Sequence, residues 1–510
     1  MNTIFEMVAK TFQGLEEVLA GELRQLGALD VETGKRMVSF RGDLEMMYRA
    51  NMSCRTALRI LKPFCRFRAC DADELYSRVK EFDWGSLMKV DQTFSIDTVA
   101  YSDEFRHSQF VTYRVKDGIV DWFRDHLGDD QRPRVRLDGA DIMINVHISG
   151  KEVILSLDSS GESLHRRGYR KGQTEAPINE VLAAGIIMLS GWKGDVPFVD
   201  PMCGSGTFVI EAALIAAGIQ PGVFRRHFSF ENWPDFDPEL LESIYNDDSH
   251  DREVTVPIIG ADISPKAIQI ATENARSAGV LRYTDLQAKP LAKWESAPQP
   301  AGVLVTNPPY GKRIVADDMN QLYNTIGKVL KHVFTGYSAW IIGYTDEYFA
   351  EIGLAPSRKI ALNNGGLDCE LREYMIFEGS KRQFRKAGGS IKEERPERPA
   401  REDRTREDRK PFRGKFDRPA GPRGKFGSDR PFGGKPGRFD RDKAAGPRFD
   451  RKDGDKAPRE RSAEDGREHR PLDLRRLGRQ PGIPESKQIV LRPAWRTRKP
   501  RNGADETDKE

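Results

Sequence analysis

Apolar residues alternate between a period of two and a period of 3.6 over the first 160 residues. Residues 4–10 and 37–41 read as strands, and between them Leu15, Val18, Leu19, Leu23 and Leu26 fall on one face of a helix over 15–26. An extended run follows at 58–67, then a helix at 73–81, a strand at 93–99 and a longer helix at 108–127. Two further strands, 142–148 and 152–157, close as a hairpin over Ser149-Gly150. The pattern predicts two small α/β modules in succession.

Beyond residue 190 the pattern changes to strand, glycine-rich turn, helix. Residues 196–200 (Val-Pro-Phe-Val-Asp) read as a buried strand, followed by Pro201-Met202-Cys203-Gly204-Ser205-Gly206-Thr207 and an apolar helix over 208–217. This is the first crossover expected of a doubly wound sheet. Gly204 and Gly206 let the backbone approach a ligand closely, and Asp200 at the strand end can take a cationic amine or a hydroxyl. A tight βα loop is the plain alternative. A second strand at 257–260 runs into Ala261-Asp262-Ile263, with Ser264 as N-cap and Pro265 at the first helical position. An acid at that strand end suits a ribose diol. A later apolar strand ends in Thr306-Asn307-Pro308-Pro309-Tyr310.

That last segment fits one chemical problem. The lone pair of an exocyclic amine on a nucleobase is delocalised into the ring. Two acceptors aimed at its N–H groups, the Asn307 side-chain oxygen and the Pro308 carbonyl, would draw it towards sp³. The prolines fix φ and remove competing donors, and Tyr310 offers a face for a flipped-out base. A Pro-Pro turn after a buried strand is the alternative. Further on, 359–362 and 371–377 flank Asn363-Asn364-Gly365-Gly366, a hairpin turn signal.

Together Asp-Pro-Met-Cys-Gly-Ser-Gly-Thr and Thr-Asn-Pro-Pro-Tyr-Gly resemble the class I S-adenosylmethionine-dependent methyltransferases that modify exocyclic amines. More narrowly, with Leu164-His165-Arg166-Arg167-Gly168-Tyr169-Arg170 and Ala176-Pro177-Ile178-Asn179-Glu180, the chain resembles THUMP-containing RNA guanine-N2 methyltransferases acting on large-subunit ribosomal RNA. The resemblance covers about residues 1–380. It implies an α/β fold: a ferredoxin-like module (1–55), a THUMP RNA-binding domain (56–160), and a Rossmann-like methyltransferase domain with a seven-stranded sheet (161–380), before a basic tail (381–510). It also implies S-adenosylmethionine held by Asp200, Pro201, Cys203, Gly204, Gly206, Thr207, Asp262 and Ile263, with Asn307, Pro308 and Tyr310 catalytic. RNA is the implied partner. Arg106, Ser108, Arg114 and Lys116 are its candidate contacts near a helix N-terminus, and Arg166, Arg167, Tyr169 and Arg170 form a basic, aromatic-interleaved linker. For each group a solvated helix face or a plain interdomain strap is the alternative. In the third-strand segment 283–290 neither Asp285 nor Pro290 is assigned to the adenine.

Composition agrees with this reading. The five cysteines form no CxxC pair, which leaves a metal site unexpected and reduced thiols the default. No apolar stretch approaches bilayer length, and the expected location is the cytoplasm. The net charge of +4 hides a segregation: residues 381–510 hold 40 Lys and Arg against 24 Asp and Glu, leaving 42 against 54 in 1–380. The tail is poor in Val, Ile and Leu and repeats Arg-Gly-Lys-Phe at 413 and 423. Its composition predicts disorder, as either an RNA tether or a solubilising segment. The insertion at 218–251 could shape an RNA entrance or pack on the core. Three other functions stay open: transfer RNA guanine-N2 methylation, adenine-N6 methylation, and a non-catalytic RNA-binding assembly factor.

Overall fold

The computed structural model describes residues 3–175, 177–309, 316–344 and 346–379. Tyr310 and the basic tail lie outside the described residues.

The N-terminal half runs β1 (Phe5–Lys10), α1 (Glu16–Gln25), β2 (Leu29–Gly34), β3 (Met37–Gly42), α2 (Leu44–Ser53), β4 (Arg59–Arg68), α3 (Ala72–Glu81), β5 (Thr93–Tyr101), α4 (Ser108–Leu127), β6 (Arg134–Val135), β7 (Ile142–Ser149) and β8 (Glu152–Asp158). Local chemistry accounts for the helix starts. The Asp43 carboxylate accepts from the Met46 amide ahead of α2, and Asp71 accepts from Asp73 and Glu74 ahead of α3. α1 buries Leu19, Ala20 and Leu23, with Glu16 and Glu17 in its first turn and Arg24 in its last.

The two small modules share one sheet, in the order β2-β3-β1-β4-β8-β7-β5-β6. β4 is the seam: it pairs antiparallel with β1 through Val8↔Leu61 and with β8 through Leu61↔Asp158. This explains the unusual length of the extended run at 58–67. A register shift falls between Pro63 and Cys65, where proline has no amide to donate to the ladder.

The C-terminal half runs α5 (Glu180–Leu189), β9 (Phe198–Asp200), α6 (Thr207–Ala216), α7 (Pro238–Tyr245), β10 (Ile258–Asp262), α8 (Pro265–Ser277), β11 (Asp285–Ala288), β12 (Gly302–Thr306), α9 (Ala316–Val333), β13 (Tyr337–Gly343), α10 (Asp346–Glu351), β14 (Arg358–Asn364) and β15 (Leu367–Met375). Its seven strands lie in the order β11-β10-β9-β12-β13-β15-β14, parallel except for β15, which is antiparallel to both neighbours. The β14–β15 hairpin turns on Gly365 and Gly366, at φ +59° and +87°, and the Gly366 amide donates to Asn363 Oδ1 (3.2 Å). The strand order reverses between β9 and β12, so their carboxyl ends flank the crevice where doubly wound sheets bind ligands.

The interval after α6 packs on the other half of the molecule. Phe228, Phe230, Trp233, Leu241 and Ile244 join the buried cluster of the N-terminal sheet. Phe230 stacks on Tyr48 with centroids 4.2 Å apart. The buried Arg225 guanidinium donates to the carbonyls of Ser160, Glu162, Ser163 and Arg166. The insertion is therefore built into the first half's core, a placement that left no trace in its sequence. Among the described residues no helix is long and apolar enough to cross a membrane.

Candidate active site

Three strand tips build the site. At the end of β9 the Asp200 carboxylate is buried, and its Oδ1 accepts from the Met202 amide (3.2 Å) and from Thr306 Oγ1 (2.8 Å). Thr306 closes β12, so this bond ties the glycine-rich turn to the strand that carries Asn307. The hydroxyl that Asp200 Oδ1 takes is the protein's own. Burial raises the Asp200 carboxyl to about 7, opposed by its two hydrogen bonds and reinforced by Asp262.

A testable consequence follows from the sign of that shift. With the folded value above the unfolded one, folding favours the protonated form. The contribution is intact below about pH 4 and is lost as pH rises towards 7. Asp200→Asn keeps an acceptor for Thr306 and removes the charge. Its melting temperature is expected to gain on the wild type as pH goes from 5 to 8; a difference independent of pH would show Asp200 ionised at no cost.

The turn itself depends on glycine. Gly204 and Gly206 have φ of +53° and +83°, and Gly206 stands at the N-cap of α6, where no side chain caps the helix. A Cβ on Gly206 would stand 2.9 Å from the Ala271 Cβ. At the tip of β10, Asp262 accepts from the Gly204 amide (3.0 Å) and the Ser264 amide (2.8 Å), one on each oxygen. Each oxygen keeps a lone pair for a diol. Ile263 beside it is 74% exposed, an apolar face suited to an adenine ring. Cys203 is buried, and burial pushes its thiol well above the ordinary range, which suits packing and not attack. Beyond Thr306, Asn307 is half-buried, Pro308 buried and Pro309 exposed. The geometry thus brings Asp200, Gly204, Gly206, Asp262, Ile263 and Asn307 to neighbouring strand ends.

The linker residues divide. Arg166 is exposed and pairs with Glu162. Arg167 and Tyr169 turn inward, which corrects the expectation that they grip RNA. The Tyr169 hydroxyl donates to Glu211 Oε1 (2.9 Å), and Arg167 lies 3.6 Å from the same oxygen while donating to the carbonyls of Leu164 and Arg55. All three side chains are buried. Arg170 is also committed within the protein: it pairs with Glu180 (2.7 Å) and donates to Ser205 Oγ (3.1 Å), Thr207 Oγ1 (3.0 Å) and the Ile178 carbonyl (3.3 Å). Sequence reading missed Thr306, Glu211, Ser205 and Asn274. Glu211 had a signal, as a lone acid in the otherwise apolar helix Thr-Phe-Val-Ile-Glu-Ala-Ala-Leu-Ile-Ala.

In the N-terminal half, Arg106 and Ser108 are exposed at the start of α4, and His107 holds the N-cap position without a side-chain bond. Arg106 donates to the Asp103 carbonyl. Arg114 pairs with Asp73 (2.6 Å) and lies 4.7 Å over the Tyr76 ring, and Lys116 pairs with Asp117. Of this group Arg106 and Ser108 keep the most open surface.

Comparison with known proteins agrees with this architecture. A model of the RlmL ferredoxin-like domain matches residues 6–61, a THUMP domain model matches 69–158, and a model described as an RMKL-like methyltransferase domain matches 167–373. A Synechocystis protein named as a candidate RNA methyltransferase is 38% identical over 372 residues, 72% of this chain and 96% of that protein. The ribosomal RNA large subunit methyltransferase K/L of Syntrophotalea carbinolica is 39% identical over 391 residues, covering 74% of this chain and 54% of its own length. The chain thus spans about half of that relative. Among solved structures, SMU.472, a candidate methyltransferase complexed with SAH, superposes with a TM-score of 0.66 at 32% identity, over 74% of this chain and all of that one.

Proposed function

We propose that this chain, which belongs to the methyltransferase family joining an RlmL ferredoxin-like domain, a THUMP domain and an RMKL-like methyltransferase domain, methylates the exocyclic N2 amine of a guanine in large-subunit ribosomal RNA in the cytoplasm. The methyl donor is S-adenosylmethionine, which supplies an electrophilic methyl group on a sulfonium. The observation that carries the reading is the Asp200–Thr306 hydrogen bond (2.8 Å), which locks the Asn307 turn beside the glycine-rich turn. The complex of SMU.472 with SAH supports the choice of donor, and the name of the Syntrophotalea relative supports the choice of RNA.

The chain's own residues then act by position. Gly204, Gly206 and Thr207, at the N-terminus of α6, receive the donor's amino-acid end, Asp262 its ribose diol and Ile263 its adenine face. Pro201 and Cys203 shape the turn. Asn307 Oδ1 and the Pro308 carbonyl accept the two N–H groups of the target amine, and Tyr310 stacks on the base. A sulfonium is already a good leaving group, so alignment supplies most of the acceleration. The proton leaves after transfer, and no general base is required. Arg106, Ser108 and Arg166 are the remaining candidates for RNA contact.

The test is mass-spectrometric mapping of modified nucleosides in ribosomal and transfer RNA from a deletion strain, with restoration by the purified chain and S-adenosylmethionine. Loss of one N2-methylguanosine from large-subunit RNA is expected. Loss confined to transfer RNA, or loss of N6-methyladenosine, would replace the substrate. RNA binding with no methylated product would make the chain a non-catalytic factor.

A further inference from the structure

Within the turn at the end of β9, one backbone hydrogen bond, from the Gly206 amide to the Cys203 carbonyl (2.8 Å), spans Gly204. Both glycines occupy the left-handed region, and the N-cap residue of α6 has no side chain to fix the helix start. Besides Asp262, which takes the Gly204 amide, two side chains brace the turn from outside.

Arg170, in the strap that joins the two halves, spreads its planar fork over Ser205 Oγ and Thr207 Oγ1, both buried, while Glu180 at the start of α5 holds the other edge of the guanidinium at 2.7 Å. From α8, the buried Asn274 reaches the same turn. Its Nδ2 donates to the Ser205 carbonyl (3.0 Å) and the Gly172 carbonyl (3.0 Å), and its Oδ1 accepts from the amides of Lys171 (2.7 Å) and Gly172 (3.2 Å). Thr174 completes the strap's contact, its Oγ1 standing 3.3 Å from where a Cβ on Gly204 would lie.

We infer that Arg170 and Asn274 are positioning residues for the methyl donor, holding the Gly204–Thr207 turn open in the shape that receives the donor's amino-acid end. The inference rests on the reading of this site as S-adenosylmethionine-dependent. It moves Arg170 from RNA recognition to donor recognition and gives the strap a role at the cofactor. Arg170→Lys keeps the charge and loses the planar fork, so that Ser205 and Thr207 are no longer held together. Asn274→Ala releases Ser205 and the strap at once.

The experiment measures SAH binding to the full chain by calorimetry, together with steady-state kinetics varied separately in S-adenosylmethionine and in RNA. For Arg170→Lys and Asn274→Ala, the SAH Kd and the KM for S-adenosylmethionine are expected to rise roughly tenfold, the scale of losing one or two such hydrogen bonds. kcat at saturating donor and the KM for RNA are expected to hold. Asn274→Asp, which keeps the acceptor for the Lys171 and Gly172 amides but sets a carboxylate oxygen against the Ser205 and Gly172 carbonyls, should raise both at least as much as Asn274→Ala. An unchanged SAH Kd in both main variants overturns the inference. So does a raised KM for RNA with SAH binding intact, which would return Arg170 to RNA, or a lowered melting temperature and kcat with the donor KM unmoved, which would make both residues merely structural. A wild-type chain that fails to bind SAH sinks the reading of the site itself.

Discussion

Asn307→Ala is expected to lower kcat by about 10²- to 10³-fold, the loss seen when one preorganised polar group is removed from a reacting centre. SAH binding should stay near the wild-type value. The separation follows from placement. Asn307 lies one residue beyond Thr306, whose hydroxyl is fixed to Asp200, and the glycine-rich turn is held by Asp262, Arg170 and Asn274 without it. On the proposed roles, removing the amide deletes one of two acceptors for the target amine and leaves the donor's seat in place. Calorimetry with SAH and single-turnover methyl transfer to RNA measure the two halves independently. Loss of both activities together would mean that the turn is scaffolding and that the amine is activated elsewhere.

Glu211→Ala is expected to destabilise the folded chain by about 3–5 kcal/mol, because it leaves buried positive charge uncompensated. Glu211 stands among Arg167, Arg55 and Tyr169, and burial raises its carboxyl against the pull of Arg167 and Arg55. Arg55, lowered to about 10 mainly by burial, comes from the N-terminal half and donates to the carbonyls of Leu214 (3.2 Å) and Ile219 (2.7 Å) in the C-terminal half. Glu211 therefore offsets positive charge at the joint between the halves, with Glu22 also acting on Arg55. Glu211→Gln preserves volume and loses the charge, so it should cost nearly as much. The check is the shift in the urea unfolding midpoint. A cost under about 1 kcal/mol would mean that water screens these charges as it does at a surface.

The regular elements were legible because local chemistry specified them. α4 was read to the residue from its apolar stripe and flanking breaks, and the Ser264-Pro265 start and the Asn-Gly hairpin carry their geometry in single residue types. The site was legible for a similar reason: glycines with positive φ and an acid at a strand tip leave little choice of arrangement. What the sequence hid depended on distant partners. A cluster such as Arg166-Arg167-Gly168-Tyr169-Arg170 looks the same whether it faces RNA or a buried acid 42 residues away. The seam at β4 was equally silent, since a strand's pattern does not say how many neighbours it has. Nothing in Phe228, Phe230 and Trp233 told which core they would enter.

That last placement bears on any attempt to recombine these proteins. A cut at the linker near residue 165 leaves one fragment without the aromatic residues that complete its interior and the other with those residues bared to water. Chimeras exchanging the N-terminal half should therefore carry residues 218–251 along with it, although they lie deep within the methyltransferase domain's sequence. Module swaps drawn from linear boundaries alone would yield aggregating halves, whereas co-expressed fragments could re-form the whole by complementation.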